Sequence, residues 1–140
     1  MRRINYLAII VSVIATFVLS GVWYTVFLNQ YFALRGIDPN DAAATVMHPW
    51  EYLVVLVRHL VVALVLAYLL FRLDIKTLGS ALKLGLLLWL GFPVVLLAGA
   101  VASDKVPFAL AAIHGGDWLI KLLLMSAIIG VWRKAPDDRK

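Results

Sequence analysis

The sequence contains no cysteine. Disulfides, thiolate metal sites, iron–sulfur clusters and a cysteine nucleophile are excluded with it. Charge is also scarce. Asp, Glu, Lys and Arg make up 15% of the 140 residues, and 8 residues are acidic. There is no glycine-rich phosphate loop, no His-Glu-x-x-His pair and no serine at a nucleophile elbow. The chain is therefore not expected to be an enzyme, and no catalytic residue or metal site is expected in it.

What is present is apolar. Hydrophobic residues make up 64% of the chain, and the mean hydropathy is +0.95. A soluble domain of this size must turn a more polar outside to water. Apolar runs long enough to cross a bilayer recur four times, at about 4–28, 50–71, 78–101 and 107–132. The strands of a β-barrel would be near ten residues and would alternate. These runs are longer and do not. The expected fold is all-α: one integral membrane domain, a bundle of four transmembrane helices in the lipid bilayer.

The formal net charge is +5. The basic residues sit at the ends of the apolar runs, so the charge reads as topology and not as a nucleic-acid surface. Arg2, Arg3, Arg72, Lys76, Lys83, Arg133, Lys134, Arg139 and Lys140 fall on one side. Arg35 and Lys105 fall on the other, and Arg58 and Lys121 are internal. By the positive-inside rule both termini are expected in the cytoplasm, with residues 133–140 as a charged, disordered tail. Arg2-Arg3 ahead of an apolar run could also open a signal peptide. The uncharged run from Ile4 to Leu28 is too long for one and lacks a cleavage site, so it is expected as a retained span.

The segment that stands out is Ala111-Ala112-Ile113-His114-Gly115-Gly116-Asp117-Trp118-Leu119-Ile120-Lys121. His114, Asp117 and Lys121 fall at i, i+3 and i+7, along one helix face. In hydrocarbon such a stripe needs partners or a purpose. Counting helix rise from the outer end, His114 is roughly 10 Å deep, Arg58, Ser20 and Pro93 roughly 12 Å, and Asp117 roughly 15 Å. Glu51 lies one turn inside span two, and His59 follows Arg58. Arg58, His59, His114, Asp117, Lys121 and Glu51 thus form an expected buried polar cluster. Spans two and four are expected to meet across an Arg58–Asp117 contact.

Small residues mark the close approaches. Ala8, Ser12, Thr16 and Ser20 recur every fourth residue in span one, and Gly115-Gly116 follow Ala111-Ala112 in span four. Trp23, Tyr24, Trp50 and Trp132 are expected as interface aromatics. Pro93 has no N–H for the carbonyl of Trp89, so span three is expected to be irregular there. The helix of span one can run on to Gly36, a good residue beyond a helix end. Asp38-Pro39-Asn40-Asp41 reads as the start of a short surface helix reaching Met47, closed by His48-Pro49.

The stretches Asn5-Tyr6-Leu7-Ala8-Ile9, Gly21-Val22-Trp23-Tyr24 and Leu34-Arg35-Gly36-Ile37 carry a resemblance. With Gly85 to Phe92 and Ala127-Ile128-Ile129-Gly130-Val131-Trp132, the chain resembles the small bacterial membrane proteins called domain of unknown function 1761. Where that family commonly continues Trp-Tyr with Ser-Pro and Phe-Gly-Lys, this chain has Thr25-Val26-Phe27-Leu28-Asn29-Gln30. The resemblance implies four spans and a bacterial membrane; the cytoplasmic (inner) membrane is the expected one. It implies no activity.

Two function classes remain, of which the first is the expected one and the second the alternative. One is an accessory or assembly subunit, packing against other membrane-protein subunits or itself through its small-residue stripes. The other is a small homo-oligomeric ion- or proton-coupled carrier or channel using the Arg, His, Asp and Lys level. No cofactor is expected. Haem held between His59 and His114, on different helices at similar depth, is a third alternative.

Overall fold

Asn5 starts the first helix. Its side chain accepts from the backbone N–H groups of Leu7 and Ala8 at 3.2 and 3.4 Å, which satisfies donors that the helix leaves free. From there a computed structural model describes residues 5–132 as helices and short connections. They are α1 (Tyr6–Val26), α2 (Leu28–Arg35), α3 (Ala42–Thr45), α4 (Pro49–Arg72), α5 (Leu78–Trp89), α6 (Val95–Ser103) and α7 (Phe108–Val131). A π-helical turn, Leu90–Val94, joins α5 to α6. There is no strand among the described residues. Arg2, Arg3 and the tail 133–140 lie outside them.

Among the described residues, four helical stretches are long and apolar enough to cross a membrane: α1, the run from Ala43 to Arg72 that contains α4, the run from Leu78 to Ser103, and α7. Their order is up, down, up, down. The Asn5 amide also donates to the Trp132 carbonyl at 2.9 Å, so both described ends of the chain meet at one end of the bundle. α7 is the central element: α1, α4, α5 and α6 all pack on it. The apolar core occupies the half nearest the chain ends. Ile9, Val13, Leu66, Leu70, Met125 and Ile129 interlock there with Ala63, Ala67 and Ala81. Large apolar side chains such as Ile14, Val18, Leu53, Leu87 and Leu96 point outward, as lipid-facing positions require.

Between helices in lipid there is no hydrophobic drive, so close van der Waals packing holds the bundle. The small residues do this within the chain. Ser12 and Thr16 are fully buried, and their hydroxyls donate back to the carbonyls of Ile9 and Ser12 at 2.8 and 2.7 Å. Gly85 and Gly130 seat α5 against α7. A Cβ on Gly130 would lie 2.6 Å from that of Ala81.

Three local expectations change. The short helix begins at Ala42, after Asp41, whose carboxylate accepts from Ala43 N–H at 2.9 Å, while Asp38 is engaged in a turn with Asn40 N–H at 2.9 Å. It ends at Thr45 and does not reach Met47. Span one is broken at Phe27 before α2, which then ends at Gly36 as expected, with φ +65°. That left-handed conformation suits glycine. At Pro93 the irregularity takes the form of the π turn, which widens the helix where one donor is missing.

Candidate functional site

The polar level is built around α7. The indole of Trp23 in α1 donates to the Ile113 carbonyl at 3.0 Å. From the other side, the indole of Trp89 in α5 donates to the Gly115 carbonyl at 2.8 Å. Two indoles thus fix the height of α7 on either side of its double glycine. The glycines make room for this. A Cβ on Gly116 would lie 2.5 Å from Cζ2 of Trp23, and one on Gly115 would touch Leu97 at 3.4 Å.

With α7 held there, Asp117 and Lys121 are both buried, 4% and 7% exposed. Lys121 Nζ lies 2.6 Å from Asp117 Oδ2, one turn away on the same helix. Ser20 Oγ donates to Asp117 Oδ1 at 2.6 Å from α1. Both carboxylate oxygens are therefore engaged. Lys121 Nζ also lies 4.6 Å from the centre of the Trp118 ring. The expected Arg58–Asp117 contact is not made. Depth gives a level but no direction around the helix axis, and Lys121 and Ser20 occupy the carboxylate instead. Arg58 lies over Trp118, 5.9 Å from its centre.

His114 and Tyr24 are joined, Nδ1 to hydroxyl, at 2.7 Å. Tyr31 of α2 meets both rings, 5.5 Å from that of Tyr24 and 6.0 Å from that of His114. Arg35 donates to the Tyr31 hydroxyl at 2.6 Å. Glu51 sits at the N-terminus of α4, where its carboxylate accepts from His48 N–H at 2.6 Å. That contact closes the start of α4. His59 is 4% exposed, and its Nδ1 bonds the Val55 carbonyl at 2.7 Å. Its Nε2 is buried with no partner.

These groups share one cavity of about 630 Å³. α1, α4 and α7 form its walls, and α2 with residues 44–47 closes one side. Phe17, Val55, Val62 and Met125 give it apolar surface. All six expected cluster residues line it, but only His59, Asp117 and Lys121 are buried; Glu51 and His114 are half-buried and Arg58 is exposed. Ser12, Thr16, Ser20, Gly115 and Gly116 pack inside the bundle. Trp50 and Trp132 are largely exposed. Trp23 and Tyr24, expected at the interface, turn inward, because α7 offers each an acceptor or a ring beside the Gly116 hollow.

Sequence reasoning missed Trp89, Trp118 and Tyr31. For the first two a signal existed. Each lies 11 positions inside its expected span, roughly 17 Å deep, too far for an interface aromatic. An indole N–H at that depth needs an acceptor.

The Ser20–Asp117 bond is testable. Ser20→Ala is expected to lower stability by about 1 kcal/mol, in the range of polar contacts between helices in lipid. Reversible unfolding in mixed micelles measures it. No loss would mean that Ser20 does not hold the carboxylate.

No match is found among curated proteins or among solved structures. Residues 7–130 match the family described as Protein of unknown function (DUF1761), and the chain belongs to that family.

Proposed function

We propose that this protein is a small proton-coupled carrier of the bacterial cytoplasmic membrane, with both termini inside and the cavity facing out. One observation carries the reading: a single cavity within one chain gathers Asp117, Lys121, His114 and Arg58. Ionisable groups within a membrane mark relays and pathways by default. Asp117 is the group to exchange a proton, with the His114–Tyr24 pair beside it as relay. The excess of Lys and Arg at the end where the chain termini meet supports the orientation. The small-residue stripe of α1, which would have offered a surface to a partner, is used up inside the bundle.

The test is flux. Proteoliposomes with a trapped pH dye are exposed to a panel of organic acids, amino acids and sugars. The expected result is a lumenal pH change that one class of solute drives, and that is lost when Asp117→Asn and Lys121→Met are combined. No pH change with any of them sinks the carrier.

A second reading, an accessory subunit, draws on α6 and the π turn. A Cβ on Gly91 or Gly99 would meet nothing within 4 Å, and Ala98 and Ala102 beside them are exposed. That face would allow another helix to approach closely. A stoichiometric foreign subunit in a pull-down from native membranes, lost on Gly99→Leu, would favour it over the carrier.

A further inference from the structure

We propose that the cavity binds an organic acid that has an apolar body and its own hydrogen-bond donor. This names the solute of the carrier reading and rests on it for what happens after binding. The acid group would meet Arg58, and the donor would meet His59 Nε2.

The charges in the cavity wall lead there. They are Arg35, Glu51, Arg58, Asp117 and Lys121. Asp117 and Lys121 hold each other. Glu51 is occupied by His48 N–H, and Arg35 by the Tyr31 hydroxyl. Arg58 has only the face of Trp118 beneath it, with no ion pair or hydrogen bond among the described residues. It lies nine residues into α4, roughly 14 Å along the helix. Its side chain is exposed and lines the cavity, so its charge is open to a ligand there. A carboxylate or phosphate matches its planar fork.

His59 supplies the second requirement. A carbonyl only accepts, so the bond to Val55 puts the ring proton on Nδ1. Nε2 is then an acceptor, buried and without a hydrogen-bond partner among the described residues, on a residue that lines the cavity. A buried acceptor left empty is costly, and an O–H or N–H of the ligand would satisfy it. A metal could also use this lone pair. However, no group of three or more His, Asp or Glu among the described residues is placed to hold one. Phe17, Val55, Val62 and Met125 provide for the apolar body.

The probes are a hydroxynaphthoate, naphthoate without the hydroxyl, and the methyl ester of the hydroxynaphthoate. Binding to the purified full chain in a neutral detergent is read by tryptophan fluorescence. The hydroxynaphthoate is expected to bind, and its ester at least about tenfold more weakly, the loss of one charge-assisted contact. Arg58→Gln is expected to abolish that difference. His59→Phe is expected to lower hydroxynaphthoate affinity to that of naphthoate while leaving naphthoate unchanged, which general misfolding would not do. Competition by a short-chain phosphatidylglycerol would make a lipid phosphate the natural acid, and its absence a free solute. Both support the site.

Equal binding of acid and ester, or an unaffected Arg58→Gln variant, overturns it. A haem absorption band in the protein as purified also overturns it, by giving His59 Nε2 to iron. Acid binding without flux removes the carrier and leaves the acid site. Flux of another solute without acid binding removes the site and leaves the carrier.

Discussion

Asp117→Asn alone will destabilise the bundle by about 3 to 5 kcal/mol, and adding Lys121→Met will restore most of the loss. The reason is the asymmetry of buried ion pairs. Removing one partner strands a charge at a position that is almost fully buried. Removing both leaves an amide and an apolar side chain of similar size, which often matches the original stability. Here the pair is 2.6 Å apart and almost fully buried, with Ser20 on the second carboxylate oxygen. An amide can still accept from Ser20, so the stranded lysine is the chief penalty. Unfolding in mixed micelles, run on both single variants and the double, gives the coupling. If the double variant is as unstable as the sum of the singles, Lys121 and Asp117 do not act as a pair.

The second large effect concerns packing. Gly85→Ala will cost about 2 to 3 kcal/mol, high in the range for overfilled cores. Its Cβ would lie 2.5 Å from Ser126 Oγ and 3.0 Å from the Leu122 carbonyl oxygen. The hydroxyl can be removed; the backbone oxygen cannot move without parting α5 from α7. Ser126→Gly in the same chain is therefore expected to recover part of the loss, with Leu122 accounting for the rest. Ser126→Ala alone is expected to be neutral, because its hydroxyl is buried with no hydrogen-bond partner. The same unfolding measurement decides. Full recovery in the double variant would mean that α5 and α7 adjust freely at Leu122.

The four spans are legible because hydrocarbon tolerates only long apolar runs with their backbone bonds made internally. Helix rise also places Ser20, Arg58, His114 and Asp117 at one level, and they do line one cavity. What rise cannot give is the direction a side chain takes around its axis. The spacing along α7 already puts Lys121 within reach of Asp117, and that pair forms; the shared level adds an Arg58–Asp117 contact that does not form. Position near a span end assigns Trp23 to the interface. Its actual seat depends on Gly116 of α7, about ninety residues away in the chain. The chain is also legible as helical up to Gly36, but that α2 closes the cavity follows only from its packing on α7 and α1.

The absence of cysteine makes one experiment clean. Single cysteines at Val54, Val55 and Leu66 can be offered a membrane-impermeant maleimide on intact cells. Val55 lines the cavity, its neighbour Val54 faces outward, and Leu66 lies in the dry core. A water-filled cavity open to the outside predicts modification at Val55→Cys and none at Val54→Cys or Leu66→Cys. No modification at Val55→Cys, or modification only from the cytoplasmic side, would contradict an outward-facing polar cavity.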